Sequence, residues 1–255
     1  MKKTITMKPS VCLLLVALLT TALAGAQQAA KSGSSESASA SAVGMEKAIT
    51  EEEEPSHHLV LENAYTKVFK VELAPKGSMK LHRHDHDYVS IVLETSDMET
   101  QVPGKPAAKA MRKAGEAKFT KGGFVHSSRN LGDHVFRNVI VEIRKPGTKR
   151  PAKKAERALD LGHGHMEDVV EENAEVRVTE VQIAAGMMSD EHVKDLPQVI
   201  VALTDCDLLK MVNGRPTEQL RLKAGDAAWI GAGEKWMLHN KGAGNARYIA
   251  VGFKG

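Results

Sequence analysis

Residues 113–130, KAGEAKFTKGGFVHSSRN, return as residues 223–240, KAGDAAWIGAGEKWMLHN, after a shift of 110 positions that takes Lys113 to Lys223. The same ungapped shift extends the match from residue 62 to about residue 141. Near its start Glu62-Asn63-Ala64 meets Glu172-Asn173-Ala174. The chain is therefore a tandem duplication, and positions where the copies differ are informative about chemistry.

Each copy has the pattern of a β-structure. The first copy contains three runs rich in apolar and β-branched residues, 68–73, 88–93 and 136–143. Glycine and proline separate such runs every ten or so residues, as in Pro75-Lys76-Gly77. No long helical pattern interrupts either copy. This predicts an all-β chain built from two antiparallel sandwiches or barrels, rather than a βαβ fold.

The N-terminus resembles a secretory signal. Lys2, Lys3 and Lys8 precede the uncharged apolar run 11–24, and Ala24-Gly25-Ala26 supplies small residues for cleavage. We expect a signal peptide over residues 1–26 and a periplasmic or secreted protein. The apolar run is short for a membrane span, so we expect no stable membrane anchor after cleavage.

Two further segments lie outside the copies. Residues 27–57 are rich in Ser, Ala and Gln and end in the acidic run Glu51–Glu54, which predicts a disordered, solvated spacer. Residues 146–167 begin with a basic stretch containing Pro and Gly and predict a linker, with a short helix over 152–161. The two domains are then expected at 58–145 and 168–255.

Charge and cysteine content exclude some functions. The chain has 35 Lys and Arg against 32 Asp and Glu, and loss of the three signal lysines makes the balance even. Nothing in this balance indicates a nucleic-acid partner. Cys12 lies in the signal, so Cys206 has no partner for an internal disulfide.

The densest chemical signal is Leu81-His82-Arg83-His84-Asp85-His86-Asp87-Tyr88. Side chains alternate along a strand, so His82, His84, His86 and Tyr88 are predicted to share one face. Two imidazoles two residues apart can chelate one ion. His126 is the expected third ligand, because it is one of the histidines that the second copy replaces. By contrast, His57, His58 and His134 are expected to be exposed.

The second copy provides an internal comparison. Where the first copy has His82, His84 and His126, the second has His192, Lys194 and Trp236. A fixed positive charge and a large indole make a poor metal site. The first copy can therefore hold a metal, and the second is expected to be degenerate.

These stretches resemble the two motifs of the cupin superfamily. Gly77, His82 and His84 match the first motif, with Tyr88 where the family has Glu, and Gly115, Gly123, His126 and Asn130 match the second at full spacing. The resemblance covers roughly residues 60–143 and 170–253. It implies a bicupin, with two jelly-roll-like β-barrels in tandem.

The resemblance also implies a site. His82, His84 and His126 would bind one divalent metal ion, with Fe, Mn, Zn and Ni left open. Because the family's Glu is replaced, we favour a three-histidine centre with Tyr88 lining the pocket. Two alternatives remain. Tyr88 could itself be a ligand or a hydrogen-bond partner, or Asp87 or His86 could become a ligand after a local change of register. Tyr88 and His86 are the nearest candidates for catalytic groups.

Three functions follow from this reading. The first is a metal-dependent enzyme acting on a small-molecule substrate, either a dioxygenase or a Lewis-acid lyase or isomerase. The second is a non-catalytic module that binds a sugar acid or similar ligand. The third is metal capture, using the additional His86, His163 and His165. Arg83, Arg129 and Arg137 are candidate anchors for an anionic group, and edge strands are compatible with a homodimer.

Overall fold

The computed structural model describes residues 48–145, 159–160, 164–193, 196–233 and 235–255. The predicted signal peptide, the spacer up to residue 47 and most of the predicted linker lie outside these residues. Within the described part, no helix is long and apolar enough to cross a membrane.

The first half contains ten strands and one short 3-10 helix over Glu51–Glu53. The strands are β1 Ile49–Thr50, β2 His57–Glu62, β3 Thr66–Leu73, β4 His82–His84, β5 Asp87–Val92, β6 Ser96–Gln101, β7 Ala108–Arg112, β8 Ala117–Thr120, β9 Phe124–Asn130 and β10 Phe136–Ile143.

The second half contains ten strands. They are β11 Leu159–Asp160, β12 His165–Glu172, β13 Val176–Ile183, β14 His192–Val193, β15 Gln198–Ala202, β16 Cys206–Val212, β17 Arg215–Leu222, β18 Ala227–Ile230, β19 Lys235–Asn240 and β20 Ala246–Phe253.

Each half folds into two sheets. In the first half the strand orders are β1-β4-β9-β6-β7 and β2-β3-β10-β5-β8. In the second half they are β14-β19-β16-β17 and β11-β12-β13-β20-β15-β18. The pairing register repeats with the sequence, since Val68 opposite Val141 becomes Val178 opposite Val251. The predicted all-β fold of two tandem barrels is confirmed.

The motif Lys113-Ala114-Gly115-Glu116 forms the turn between β7 and β8. The Glu116 amide donates to the Lys113 carbonyl at 2.9 Å, and Gly115 has a φ of 86°. A positive φ at the third position of a turn favours glycine. The same turn recurs with Gly225 at a φ of 90°, which explains why the motif appears in both copies.

An asparagine closes the same loop in each copy. The Asn130 side-chain amide donates to the His134 carbonyl at 2.7 Å, and its oxygen accepts from the Gly132 amide at 2.9 Å. Asn240 makes the corresponding bonds to the Gly244 carbonyl and the Gly242 amide, at 2.8 and 2.9 Å. This motif residue is therefore structural in both copies.

The two halves pack against each other through the sheets that contain β10 and β20. An apolar cluster joins side chains from both copies, and all of its members are buried. The first copy contributes Val68, Val89, Ile91, Val139, Val141 and Ile143, and the second contributes Val176, Val178, Val199, Val201, Ile249, Val251 and Phe253. The outward faces of the two barrels thus cover one another.

The boundaries differ from the prediction at the start of each half. Residues 48–57, expected in a disordered spacer, are ordered as β1, the 3-10 helix and the start of β2. The Thr50 hydroxyl donates to the Glu53 carboxylate at 2.9 Å, which closes the helix. Leu159–Asp160 pairs with β12 rather than continuing a helix. The rest of the predicted 152–161 helix lies outside the described residues.

Truncating the core between the barrels should destabilise the protein. Ile249 is fully buried there, and Ile249→Ala should lower the free energy of unfolding by about 2–5 kcal/mol, measured by urea denaturation. Val60 is 46% exposed, and Val60→Ala should stay within about 0.5 kcal/mol of wild type. Equal stabilities for the two variants would contradict the packing described here.

Candidate metal centre

Two short strands bring three of the predicted histidines together. His82 and His84 alternate along β4 and are both buried, and the antiparallel pairing with β9 sets His82 opposite His126. The Nε2 atom of His84 lies 3.2 Å from the Nε2 atoms of both His82 and His126. The Nε2 atom of His84 thus lies close to those of both His82 and His126 inside the first barrel.

A fourth imidazole joins them from β2. His57 is only 8% exposed, so the expectation that it is exposed was wrong, whereas His58 and His134 are exposed. His57, His82 and His84 each place one ring nitrogen within 4.8 Å of the other two. This spacing allows the three residues to hold a metal ion. Sequence spacing did not reveal His57, because it precedes the motif and belongs to another strand.

Each imidazole has an oxygen near its Nδ1 atom. The Nδ1 atom of His82 is 2.9 Å from the Lys80 carbonyl, which can only accept. His82 therefore donates from Nδ1, and its Nε2 lone pair is free to face the centre. The Nδ1 atom of His57 lies 3.1 Å from a Glu54 carboxylate oxygen. The Nδ1 atom of His126 lies 3.3 Å from the Ser128 hydroxyl oxygen. Such contacts orient histidine ligands.

The acidic run contributes to this arrangement. Glu51 and Glu54 are 5% and 2% exposed, so the prediction of a solvated run was wrong for these two residues. A Glu51 oxygen lies 3.0 Å from Nδ1 of His84, without the alignment of a hydrogen bond. Glu54 accepts from the backbone amides of Ser56 and Lys80 as well as facing His57.

The environment acts differently on the two carboxylates. Burial raises the pKa of Glu51 to about 7, against the opposing charges of His57, His86 and Lys67. Burial also acts to raise the pKa of Glu54, but its hydrogen bonds outweigh that effect and lower it to about 2. Glu54 is thus a carboxylate at neutral pH and a fixed acceptor for His57.

Burial keeps the converging imidazoles neutral. It lowers the pKa of His82 to about 4, that of His84 to about 3 and that of His126 to about 2, with further lowering by neighbouring histidines. Neutral imidazole is the form that ligates metals. At neutral pH the centre therefore presents nitrogen lone pairs rather than positive charges.

The geometry fits a divalent transition metal. An ion bonded to imidazole nitrogens at about 2.0–2.1 Å holds neighbouring nitrogens about 3.0–3.4 Å apart in octahedral or tetrahedral coordination. The two Nε2 separations of 3.2 Å lie in this range. An all-imidazole set suits Zn, Cu, Fe and Ni more than Mg or Ca.

The centre opens into a cavity of about 560 Å³, a size typical of small-molecule sites. The four histidines line it together with a largely apolar wall. The other lining residues are Val71, Met79, Tyr88, Ser90, Met98, Thr100, Ala108, Ala110, Met111, Arg112, Glu116, Lys118, Phe119, Thr120, Phe124, Ser128, Phe136, Asn138 and Ile140.

The two candidate catalytic residues lie in different places. Tyr88 lines the cavity and stacks on His84, with ring centroids 4.3 Å apart. Burial raises the pKa of Tyr88 to about 12, so its hydroxyl is protonated and can donate. His86 faces a separate depression, where its Nδ1 atom is 2.7 Å from a Glu142 oxygen. A catalytic role for His86 stays a prediction.

The three arginines predicted as anchors lie outside the cavity lining. Arg83 pairs with Asp85 at 3.1 Å and Arg129 with Glu99 at 2.9 Å, while Arg137 pairs with Glu94. These are partly exposed ion pairs on the barrel surface. The cavity is lined instead by Arg112, which sequence reasoning did not select.

Larger apolar side chains fill the corresponding positions of the second barrel. Trp236 and Leu238 stand where the first barrel has His126 and Ser128, and Ile200, Ile230 and Tyr248 replace polar cavity residues. All five are 1% exposed or less. Trp236 belongs to the buried apolar core of the second barrel. Lys194 lies outside the described residues.

Histidine 57 is also replaced in the second copy. The shared register sets His57 opposite Val71 and Glu167 opposite Val181. Glu167 therefore occupies the position of His57. Of the four imidazole positions in the first copy, only His82 has a histidine counterpart, His192.

No family model matches the sequence, and no curated protein matches it. Solved structures do match in fold. AerE from Microcystis aeruginosa aligns with a TM-score of 0.57 and 12% identity, over 78% of this chain and 98% of its own. Salicylate 1,2-dioxygenase from Pseudoaminobacter salicylatoxidans, in adducts with gentisate, aligns with a TM-score of 0.53 and 12% identity. The alignment covers 74% of this chain and 68% of the dioxygenase chain.

Oxalate decarboxylase from Bacillus subtilis, described for its Mn(II) centres, aligns with a TM-score of 0.56 and 10% identity, over 78% of this chain and 75% of its own. At these identities the similarity concerns the fold. The chain has a fold of two tandem β-barrels similar to that of these structures, in agreement with the predicted bicupin fold. Its first barrel contains a histidine group able to hold a metal ion.

Proposed function

We propose that the first barrel is a metal-dependent enzyme site for a small molecule, with dioxygenation as its reaction. The observation that carries the proposal is the convergence of neutral His82, His84 and His126 at the wall of the 560 Å³ cavity. One divalent metal held there would have coordination positions left for substrate and O₂. Fold similarity to a dioxygenase and to a decarboxylase supports a cupin enzyme but does not choose the reaction.

The protein's own groups would serve this site in distinct ways. The contact with the Lys80 carbonyl holds His82 with Nε2 facing inward, and the side chain of Glu51 lies beside Nδ1 of His84. The protonated hydroxyl of Tyr88 can donate a hydrogen bond to a bound molecule. Met and Phe side chains form much of the cavity wall and offer an apolar surface to a bound molecule.

His57 supports a second candidate reaction. Its contact with Glu54 resembles the pairing in which a carboxylate orients a histidine that acts as a general base. If His57 is not a ligand, it can take a proton from a substrate polarised by the metal. The reaction would then be a lyase or isomerase reaction that needs no O₂.

Metal content tests the site directly. Untagged protein should contain about one transition metal ion per chain by elemental analysis, and His126→Ala should lose most of it, because only two of the three proposed ligands, His82 and His84, then remain. His134 is an exposed histidine of the same barrel, and His134→Ala should keep the metal. Unchanged metal in His126→Ala would refute the proposed ligand set.

Oxygen dependence separates the two reactions. Fe(II)-loaded protein should consume O₂ with a substrate from a panel of diketones, thiols and phenols, and the His126→Ala variant should not. Oxygen-electrode traces and product analysis would be compared with anaerobic reactions. Turnover that continues without O₂, and that His57→Ala abolishes without loss of metal, would instead support the lyase or isomerase.

We also propose that the protein is exported, on the basis of its N-terminal sequence. Cleavage after Ala26 predicts Gln27 as the first residue of the mature protein. N-terminal sequencing of protein recovered from the periplasm or the medium would show this residue. Recovery in the cytoplasm with an intact N-terminus would contradict the proposal.

A further inference from the structure

One buried donor lining the metal-centre cavity has no partner. Arg112 ends β7, and its Nε atom donates to a Glu116 oxygen at 3.0 Å. Its Nη2 atom is buried, and no hydrogen-bond acceptor for it exists among the residues that the structure describes. A buried guanidinium nitrogen without an acceptor is costly. A ligand that brings an acceptor to this atom would remove that cost.

The surroundings of Arg112 favour an anion. Lys118, on β8, also lines the cavity, and the described part of the chain contains no ion-pair partner for it. Glu116 balances only one of these two positive charges. Among the acidic and basic side chains that line the cavity, Arg112 and Lys118 outnumber Glu116, which leaves a net positive charge before any metal is added. This end of the cavity therefore attracts a negative group.

Position also makes Arg112 accessible to a ligand. Strands β7 and β8 are the edge strands of the two sheets of the first barrel. Ala108 and Ala110 precede Arg112 on β7, line the cavity and are exposed. Their small side chains leave space at this edge. Arg112 therefore lies close to an accessible edge of the cavity.

Arg112 also acts at the metal-centre end of the cavity. Burial raises the pKa of Tyr88 to about 12, with the Thr120 hydrogen bond and the charge of Arg112 opposing the rise. Tyr88 in turn stacks on His84. Because Arg112 and the histidines line one cavity, a ligand that occupies it can contact both.

We propose that the ligand of the first barrel is a small organic acid with an apolar body, whose carboxylate is bound by Arg112. A planar guanidinium with free N–H donors matches a carboxylate. Glu116 holds the Nε side of the guanidinium and leaves Nη2 for the ligand. The apolar body would lie against walls such as Phe119, Phe124 and Phe136. This proposal rests on the cavity of the proposed enzyme site and specifies its substrate class.

Matched acids and amides test the proposal. Benzoate and phenylacetate would be titrated by calorimetry into zinc-loaded protein, beside benzamide and phenylacetamide, which have similar shape without the charge. Wild type should bind at least one acid about tenfold or more tightly than its amide. Arg112→Met should abolish this preference while keeping the zinc content.

Arg129→Met is the control. Arg129 also pairs with a glutamate, lies in the same sheet and does not line the cavity, so its loss should leave acid binding unchanged. Arg112→Lys retains the charge and should recover part of the preference. If Arg112→Met binds the acids as wild type does, or wild type does not prefer either acid, the proposal is overturned.

Metal-free protein separates this proposal from the enzyme proposal. Binding through Arg112 should persist in part after zinc is removed, and should still be lost in Arg112→Met. Acid binding that requires zinc and is unchanged in Arg112→Met would mean that the carboxylate binds the metal. That result would refute the role of Arg112 but not the metal centre. Absence of zinc binding by wild type would refute the metal centre while Arg112 could still be assessed.

Discussion

The central strands of each barrel are buried on both faces, and this constraint organises the molecule. On β10, Val139 and Val141 face the other barrel, while Asn138 and Ile140 face the cavity. Because side chains alternate along a strand, a single sheet serves both purposes. A shift of register by one residue would exchange the two sets and destroy both the core between the barrels and the site.

The outward face changed little between the copies, whereas the inward face diverged. Val68, Val141 and their counterparts Val178 and Val251 remain apolar because each copy covers the other. Inside the barrels, Ser128 and His126 correspond to Leu238 and Trp236. The first barrel thus keeps space and polar groups, at some cost in apolar packing, and the second is filled as a core.

The N-terminal segment before the duplication completes the site. Glu51 and Glu54 approach His84 and His57 from outside the barrel motifs. The run is acidic and its neighbours are polar, so composition alone favours solvation. Only the folded chain shows that a parallel pairing of β1 with β4 carries these carboxylates to the back of the histidines.

The sequence by itself determined the duplication, the all-β class, the turn at Gly115 and the convergence of His82, His84 and His126. These features depend on local pattern and on a register that repeats after 110 positions. Tertiary structure alone decided that His57 joins the centre, that Arg112 lines the cavity and that Arg83, Arg129 and Arg137 do not. Those outcomes depend on contacts between strands far apart in sequence, which no periodicity within a single segment encodes.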